Sequence, residues 1–341
     1  MRLIIVGPFL SHNAGWVISQ GEVLSELLET NGHDVRCTSR FPNRYARLAD
    51  TIGSLLSWRK WGEAIIIMVY SGPAFTFADI ASQIAKKSLI PIIFWLHGGN
   101  LPDFYAHNKQ RVSRVFGRGK CVIAPSVYLA QLFQGRFETQ IIPNMITLEN
   151  YVFYLRHSVQ PRLLWMRTFH ELYNPAMAVE VLACLKMSYP QAILTMAGQD
   201  KGLLQSTKRL VLLHGLDKFV RFPGFLDLSC KQYEFANHDI FLNTNHIDNM
   251  PISLIEAGAF GLPVISTNVG GIPYFITDEE DALLVPKDDI NAMTHAVKRV
   301  IERPELAESL SLNGRKLAET FSKHEVLSRW QYVLTQFHNN A

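Results

Sequence analysis

The sequence predicts an α/β protein built as two doubly wound parallel sheets, and three observations carry that prediction. The chain has 341 residues, more than a single core usually serves, so two domains of roughly 150–180 residues each are the natural expectation. Short β-branched and apolar runs alternate with stretches of helical period, the pattern of strands joined by crossover helices. The alternation stops at PNMITLENYVFYLRHSVQ, residues 143–160, and then restarts. The expected layout is a first domain over residues 1–150, a second over 151–320, and a closing segment, 321–341, packing back on the first domain.

In the first half the strands are RLIIV, HDVRCTS, AIIIMVY, PIIFWL, KCVIA and TQII, with helical spacing between them at Val17–Glu29 and Phe77–Lys87. RLIIV could be mistaken for part of a signal peptide. Its apolar core ends at Gly7-Pro8 with no small-residue cleavage site after it, so it reads as a strand. AIIIMVY and PIIFWL are far short of the roughly 18 apolar residues of a membrane span and read as buried strands. The second half repeats the scheme with RLLWMR, AILTMAG, FVRFPG, HDIFLNT and LPVIST, and a helix over Ala176–Met187. The tail from His324 to Phe337 is amphipathic.

Composition fits a soluble, well-packed protein, 48% hydrophobic and 18% charged. A cytoplasmic location follows, at the inner face of a membrane if it meets one. Cys37, Cys121, Cys184 and Cys230 show no metal-ligand or CxxC spacing and read as small buried hydrophobes in a reducing compartment. Charge is uneven: residues 1–155 hold 15 basic against 10 acidic side chains, the remainder 18 against 20. The basic half suggests an anionic partner, but the excess is too modest to argue for nucleic acid. Residues 41–61, FPNRYARLADTIGSLLSWRKW, mix cations with aromatics. They suit either a membrane-surface element or an ordinary helix covering the sheet.

Ligands of open parallel sheets gather at the carboxyl ends of strands, so the loops there hold the candidate chemistry. After HDIFLNT comes DNMPISLIEAGAFGLPVIST, from Asp248 to Thr267. Pro251 suits the first turn of a helix, leaving the Ile252 and Ser253 amides free for an anion or hydroxyls. Glu256 sits about one and a half turns in and can accept from paired hydroxyls such as those of a ribose. Gly261-Leu262-Pro263 and Val269-Gly270-Gly271 are tight turns around it. Arg167 follows a strand in LLWMRTFHELYNP, and Lys201 lies in the loop AGQDKG. His97 ends the strand FWLHGG, where two glycines permit close approach of a ligand. There is no D-x-D, G-x-x-x-x-G-K-[ST], G-x-S-x-G or H-E-x-x-H in the chain.

These residues resemble a family. D-x7-E, then AGAFGLPVIS and NVGGIP, is similar to the donor-binding signature of the retaining GT-B glycosyltransferases of the family 4 type (glycosyl transferases group 1), and the resemblance covers nearly the whole chain. It implies two Rossmann-like domains facing across a cleft, the first for the acceptor and the second for a nucleotide-diphosphate sugar. It further implies a metal-independent transfer with no cofactor beyond the donor, to a glycan or lipid-linked acceptor, in envelope polysaccharide or glycolipid synthesis.

Residue by residue, it implies that Glu256 holds the ribose, and that Asp248 with Met250, Pro251, Ile252 and Ser253 lies against sugar and diphosphate. Arg167 would clamp the diphosphate, Lys201 could add a second cation, Gly15 would bring an amide to the phosphate, and His97 would contact the transferred sugar. Two positions depart from the family pattern: Asp248 stands where a glutamate is usual, and Tyr173 where the clamp has lysine. A non-hydrolysing nucleotide-sugar epimerase on the same fold, or a scaffold that binds sugar nucleotides without turnover, remain the alternatives.

Overall fold

A computed structural model describes residues 1–13 and 18–338. The chain divides into two compact units, residues 1–145 joined by the closing helix from Lys323, and residues 146–322. Each is built on one six-stranded sheet in which every pairing is parallel.

The first sheet contains β1 (Arg2–Val6), β2 (Asp34–Thr38), β3 (Ala64–Val69), β4 (Ile92–Leu96), β5 (Cys121–Ala124) and β6 (Thr139–Ile141), in the order β2-β1-β3-β4-β5-β6. All of β3, β4 and β5 is buried, which is why these segments read as continuous apolar runs and not as alternation. Helices cover both faces. The closing helix, Lys323–His338, sends Val326, Trp330, Val333 and Leu334 into a core shared with Leu3, Ile5 and Trp95. Trp330 is fully buried edge-on to Trp95, at 5.1 Å between ring centroids.

The second sheet contains β7 (Arg162–Met166), β8 (Ile193–Ala197), β9 (Val220–Gly224), β10 (Ile240–Asn243), β11 (Val264–Thr267) and β12 (Leu283–Val285), in the order β12-β11-β10-β7-β8-β9. The three-residue β12 has no counterpart among the sequence expectations. On one face lie the helices Pro175–Lys186 and Ile290–Glu302, packed with Leu163, Trp165 and Leu242; on the other, the Ile252–Phe260 helix joins Leu164 and Phe241. No helix among the described residues is long and apolar enough to cross a membrane.

Local sequence explains the helix ends. Ser19 and Glu22 form a reciprocal capping box at the start of the Gln20–Thr30 helix. Asn174 takes a left-handed conformation (φ 43°) and its side chain caps the Pro175–Lys186 helix. The cysteine expectation needs correction. All four are free, but only Cys121 is buried, while Cys37 and Cys184 are half-buried and Cys230 is exposed on a polar helix face. Within residues 41–61 the chain forms the Arg44–Trp58 helix, from which only Thr51 and Leu55 are buried. Phe41 and Tyr45 are exposed, whereas Trp58 and Trp61 lie beneath the Arg36 guanidinium at 5.6 and 4.1 Å.

The Ile252–Phe260 helix meets the Pro304–Glu319 helix backbone to backbone at two glycines. A Cβ on Gly258 would stand 2.5 Å from the Gly314 carbonyl oxygen, whereas one on Gly314 would meet Gly258 Cα at 3.3 Å. Gly258→Ala should therefore destabilise the protein by about 1–3 kcal/mol despite the better helix propensity of alanine, and Gly314→Ala by less. Urea unfolding of the two variants checks the order; equal midpoints would contradict this account of the contact.

Candidate functional site

The strand order of the second sheet reverses between β10 and β7. At such a switch point the following loops leave in opposite directions and a crevice opens at the carboxyl edge. Arg167 follows β7, and Asn245 to Asp248 follow β10. The guanidinium of Arg167 is paired through Nη2 with the Asp248 carboxylate, and its Nη1 lies 3.5 Å from Ser253 Oγ. The same guanidinium sits 4.1 Å from the centre of the Tyr173 ring, close enough for a cation–π contact. Arg167 Nε is buried and finds no hydrogen-bond partner among the described residues.

Asp248 is held from three directions. Besides Arg167, its carboxylate accepts from Asn245 Nδ2 at 2.8 Å and from the Asn249 amide at 2.8 Å. The side chains of Arg167 and Asp248 are only 16% and 14% exposed, so each charge depends on the other to offset its loss of hydration. The turn carrying Tyr173 is pinned by Thr244, which donates to the Tyr173 carbonyl (2.8 Å) and accepts from Trp165 Nε1 (2.9 Å).

Three glycines let the loops close on one another. A Cβ on Gly198 would lie 1.9 Å from the Arg167 carbonyl oxygen. On Gly270 or Gly271 it would fall 2.0 Å from the carbonyl oxygen of Asp248 or Asn249, and the Gly271 amide donates to the Asp248 carbonyl at 2.8 Å. Gly198 and Gly270 also have positive φ (146° and 56°), which side-chain-bearing residues rarely adopt.

Glu256 is buried on the Ile252–Phe260 helix, not solvated. Its Oε1 accepts from Lys231 Nζ at 2.8 Å and from the Tyr151 hydroxyl at 3.0 Å. Burial and the adjacent Glu256 charge push the Tyr151 phenol pKa up, so it stays a donor. Sequence reasoning missed both partners. Lys231 comes from the Leu228–Asn237 helix and Tyr151 from the segment after β6. Neither carries a local signal.

Other candidates fall into place unevenly. Pro251 is the residue before the helix and not its first turn; the helix opens at Ile252, and of its first-turn amides Leu254 donates to the Pro251 carbonyl at 3.1 Å, which leaves those of Ile252 and Ser253 for a ligand. The Met250 side chain packs with Ile146, Ile255 and Phe321 and not toward a ligand. Lys201 is exposed on the loop beside Arg167, where Phe169 pairs with Asp200, but it makes no ion pair with the Arg167–Asp248 group. Gly15 lies outside the described residues.

His97 belongs to the first unit, directly after β4. Its ring is buried between Tyr70, stacked at 5.2 Å, and Trp95, edge-on at 4.4 Å. Nε2 finds no hydrogen-bond partner among the described residues. Burial lowers its pKa to about 3, so the imidazole is neutral. Gly98 follows with φ 89° and open space where a Cβ would be.

The two parallel sheets define the GT-B class of fold, and comparison with solved structures agrees. Sucrose-phosphate synthase from Thermosynechococcus elongatus superposes with a TM-score of 0.79 at 17% identity, covering 100% of both chains. HepE of Anabaena, in complex with UDP and glucose, gives 0.77 at 16% identity, covering 98% of this chain and 100% of that one. More particularly, residues 155–317, nearly all of the second unit, match the family described as glycosyl transferases group 1. D-inositol 3-phosphate glycosyltransferase of Saccharomonospora viridis is 37% identical over 111 residues, 32% of this chain and 25% of that protein. The chain spans between 24% and 44% of the length of the curated relatives it matches first.

The His97 geometry has a consequence for stability. In the unfolded chain the imidazole binds a proton near pH 6.5, while in the fold it stays neutral down to about pH 3. Its contribution is therefore complete above pH 6.5 and is lost progressively as pH falls towards 3. A His97→Phe variant should show a shallower loss of unfolding free energy over that window. An unchanged slope in urea titrations between pH 6.5 and 4 would mean that the imidazole is protonated in the folded protein.

Proposed function

We propose that this chain is a glycosyltransferase that moves a sugar from a nucleotide-diphosphate sugar to a hydroxyl of a glycan or lipid-linked acceptor, with retention at the anomeric carbon. The observation that carries the reading is the pairing of two prebuilt features at one sheet edge. One is an arginine held against an aspartate at the switch point; the other is a buried glutamate near the amide-bearing start of the next helix. The match of residues 155–317 to the group 1 glycosyltransferases supports it, as does the likeness to structures that contain UDP.

In this reading Glu256 accepts from the ribose hydroxyls. The Ile252 and Ser253 amides and the Nε of Arg167 face the diphosphate, and Lys201 contributes from the loop after β8; Gly15, outside the described residues, would add an amide as the resemblance implies. Asp248 orients the sugar and balances positive charge that develops on it. His97, neutral, offers a hydrogen-bond partner to the transferred sugar and not a charge. The bond from sugar to phosphate breaks as the acceptor oxygen attacks on the same face, and the acceptor proton passes to the departing phosphate oxygen. The charge of the leaving diphosphate is met by protein groups already in position, without a metal ion. The reaction fits the cytoplasmic side of envelope polysaccharide or glycolipid synthesis, with peripheral contact to the membrane that carries the acceptor.

Glu256→Gln keeps the volume and removes the charge, so calorimetry with UDP should show affinity reduced by about tenfold or more. Affinity equal to wild type would remove Glu256 from the nucleotide site. Product analysis with a panel of UDP-sugars should give new product only when an acceptor is added. An epimer formed from donor alone would favour the epimerase chemistry instead.

A further inference from the structure

The first sheet has its own switch point, between β1 and β3, where the strand order β2-β1-β3 reverses. A cavity of about 60 Å³ lies at that carboxyl edge, lined by Val6 at the end of β1, Gly7 and Pro8 after it, Tyr70 after β3, and Arg47 and Phe77 from the flanking helices. That is several times the roughly 10–15 Å³ needed to admit one water. It suits a small headgroup better than a whole sugar ring.

Arg47 is half-buried there, its guanidinium 5.5 Å from the Phe77 ring centre. Among the described residues its guanidinium makes a single, long hydrogen bond, 3.4 Å to the Phe41 carbonyl. Among the described residues it forms no ion pair; burial lowers its pKa, and the Tyr70 phenol acts the other way. The acid that acts on Tyr70 is Glu22. That carboxylate is already committed to the Ser11 and Ser19 amides and the Ser11 hydroxyl. An arginine that loses hydration without a counter-ion is costly unless a ligand supplies one. The Tyr70 ring in turn stacks on His97, which ties the cavity to the one imidazole that the proposed function uses in this unit.

We propose that the Arg47 cavity binds an anionic group, a phosphate or phosphonate ester, on the acceptor. This rests on the glycosyltransferase reading and narrows its substrate class to acceptors carrying a negative headgroup. Arg47 supplies the charge, the Tyr70 hydroxyl a second donor, and Phe77, Pro8 and Met68 accommodate the apolar part. Such an ester could be lipid-borne or soluble, and the two sources separate experimentally.

Isothermal titration of the full chain with octyl phosphate and glucose 6-phosphate, against octanol and glucose, tests the proposal. At least one phosphate ester should bind about tenfold or more tightly than its uncharged counterpart. Tighter binding of octyl phosphate would indicate a lipid-borne ester, and of glucose 6-phosphate a soluble one. Arg47→Gln should abolish the preference and Arg47→Lys restore part of it, with UDP affinity unchanged. Equal binding of charged and uncharged compounds by wild type, or a preference that survives Arg47→Gln, overturns the proposal. Should Arg47→Gln also lose UDP binding, Tyr70→Phe decides, and a preference it leaves intact counts against the cavity. Failure of wild type to bind UDP would strike at the glycosyltransferase reading alone, because the ester preference reports on the cavity directly.

Discussion

The candidate site of the second unit depends on a backbone constraint more than on any side chain. The loops after β7, β8, β10 and β11 approach so closely that Gly198, Gly270 and Gly271 leave no room for a Cβ against the carbonyls of Arg167, Asp248 and Asn249. A parallel sheet delivers all its strands to one edge with their carboxyl ends together, and the glycines let the loops there touch. Once Gly271 donates to the Asp248 carbonyl, the Asp248 side chain has few directions left. It points where Arg167, Asn245 and the Asn249 amide meet it. The electrostatics follow from the packing of the chain.

That order of causes explains how the site accommodates Tyr173 where the resemblance implies a lysine. A second cation beside Arg167 would repel it in a poorly hydrated place. Tyr173 instead lays its ring against the guanidinium at 4.1 Å, which stabilises the positive charge without adding to it. The paired Arg167 and Asp248 are nearly neutral together, and so are Lys231 and Glu256. Such a site is held rigid before any ligand arrives, by contacts that a ligand must partly replace. Among the described residues, the donors it leaves over for an anion are Arg167 Nε and the Ile252 and Ser253 amides.

Much of this was legible in the sequence, for identifiable reasons. Buried parallel strands announce themselves as apolar runs such as AIIIMV and IIFWL, and the turns after β10 and β11 as Asp248–Pro251 and Gly270-Gly271. The strand LLV of β12 did not, because three apolar residues are no pattern. Arg167, Asp248 and Glu256 could be singled out by their place after strands, but Lys231 and Tyr151 could not. They lie 25 and 105 residues from Glu256 and meet it only because the intervening elements fold between them. The cysteines erred in the other direction: composition alone suggested burial, and Cys230 fell on a helix face that needs none.

Arg47 shows the same limit and what lies beyond it. In the sequence it is one cation among several in a basic, aromatic stretch, indistinguishable from Arg40, Arg44 or Arg59. The fold separates them. Helical period turns Arg47 toward the sheet while Arg44 faces outward and covers its neighbour Tyr45, and the residue after β3, Tyr70, lines the same cavity. The second unit pairs Arg167 with Asp248 and Lys231 with Glu256; in the first, among the described residues, half-buried Arg47 has no ion pair and His97 Nε2 no hydrogen-bond partner. A buried group without a partner is a cost that folding alone does not recover. Where that cost falls at the ligand edge of a sheet, binding is the physical event that recovers it.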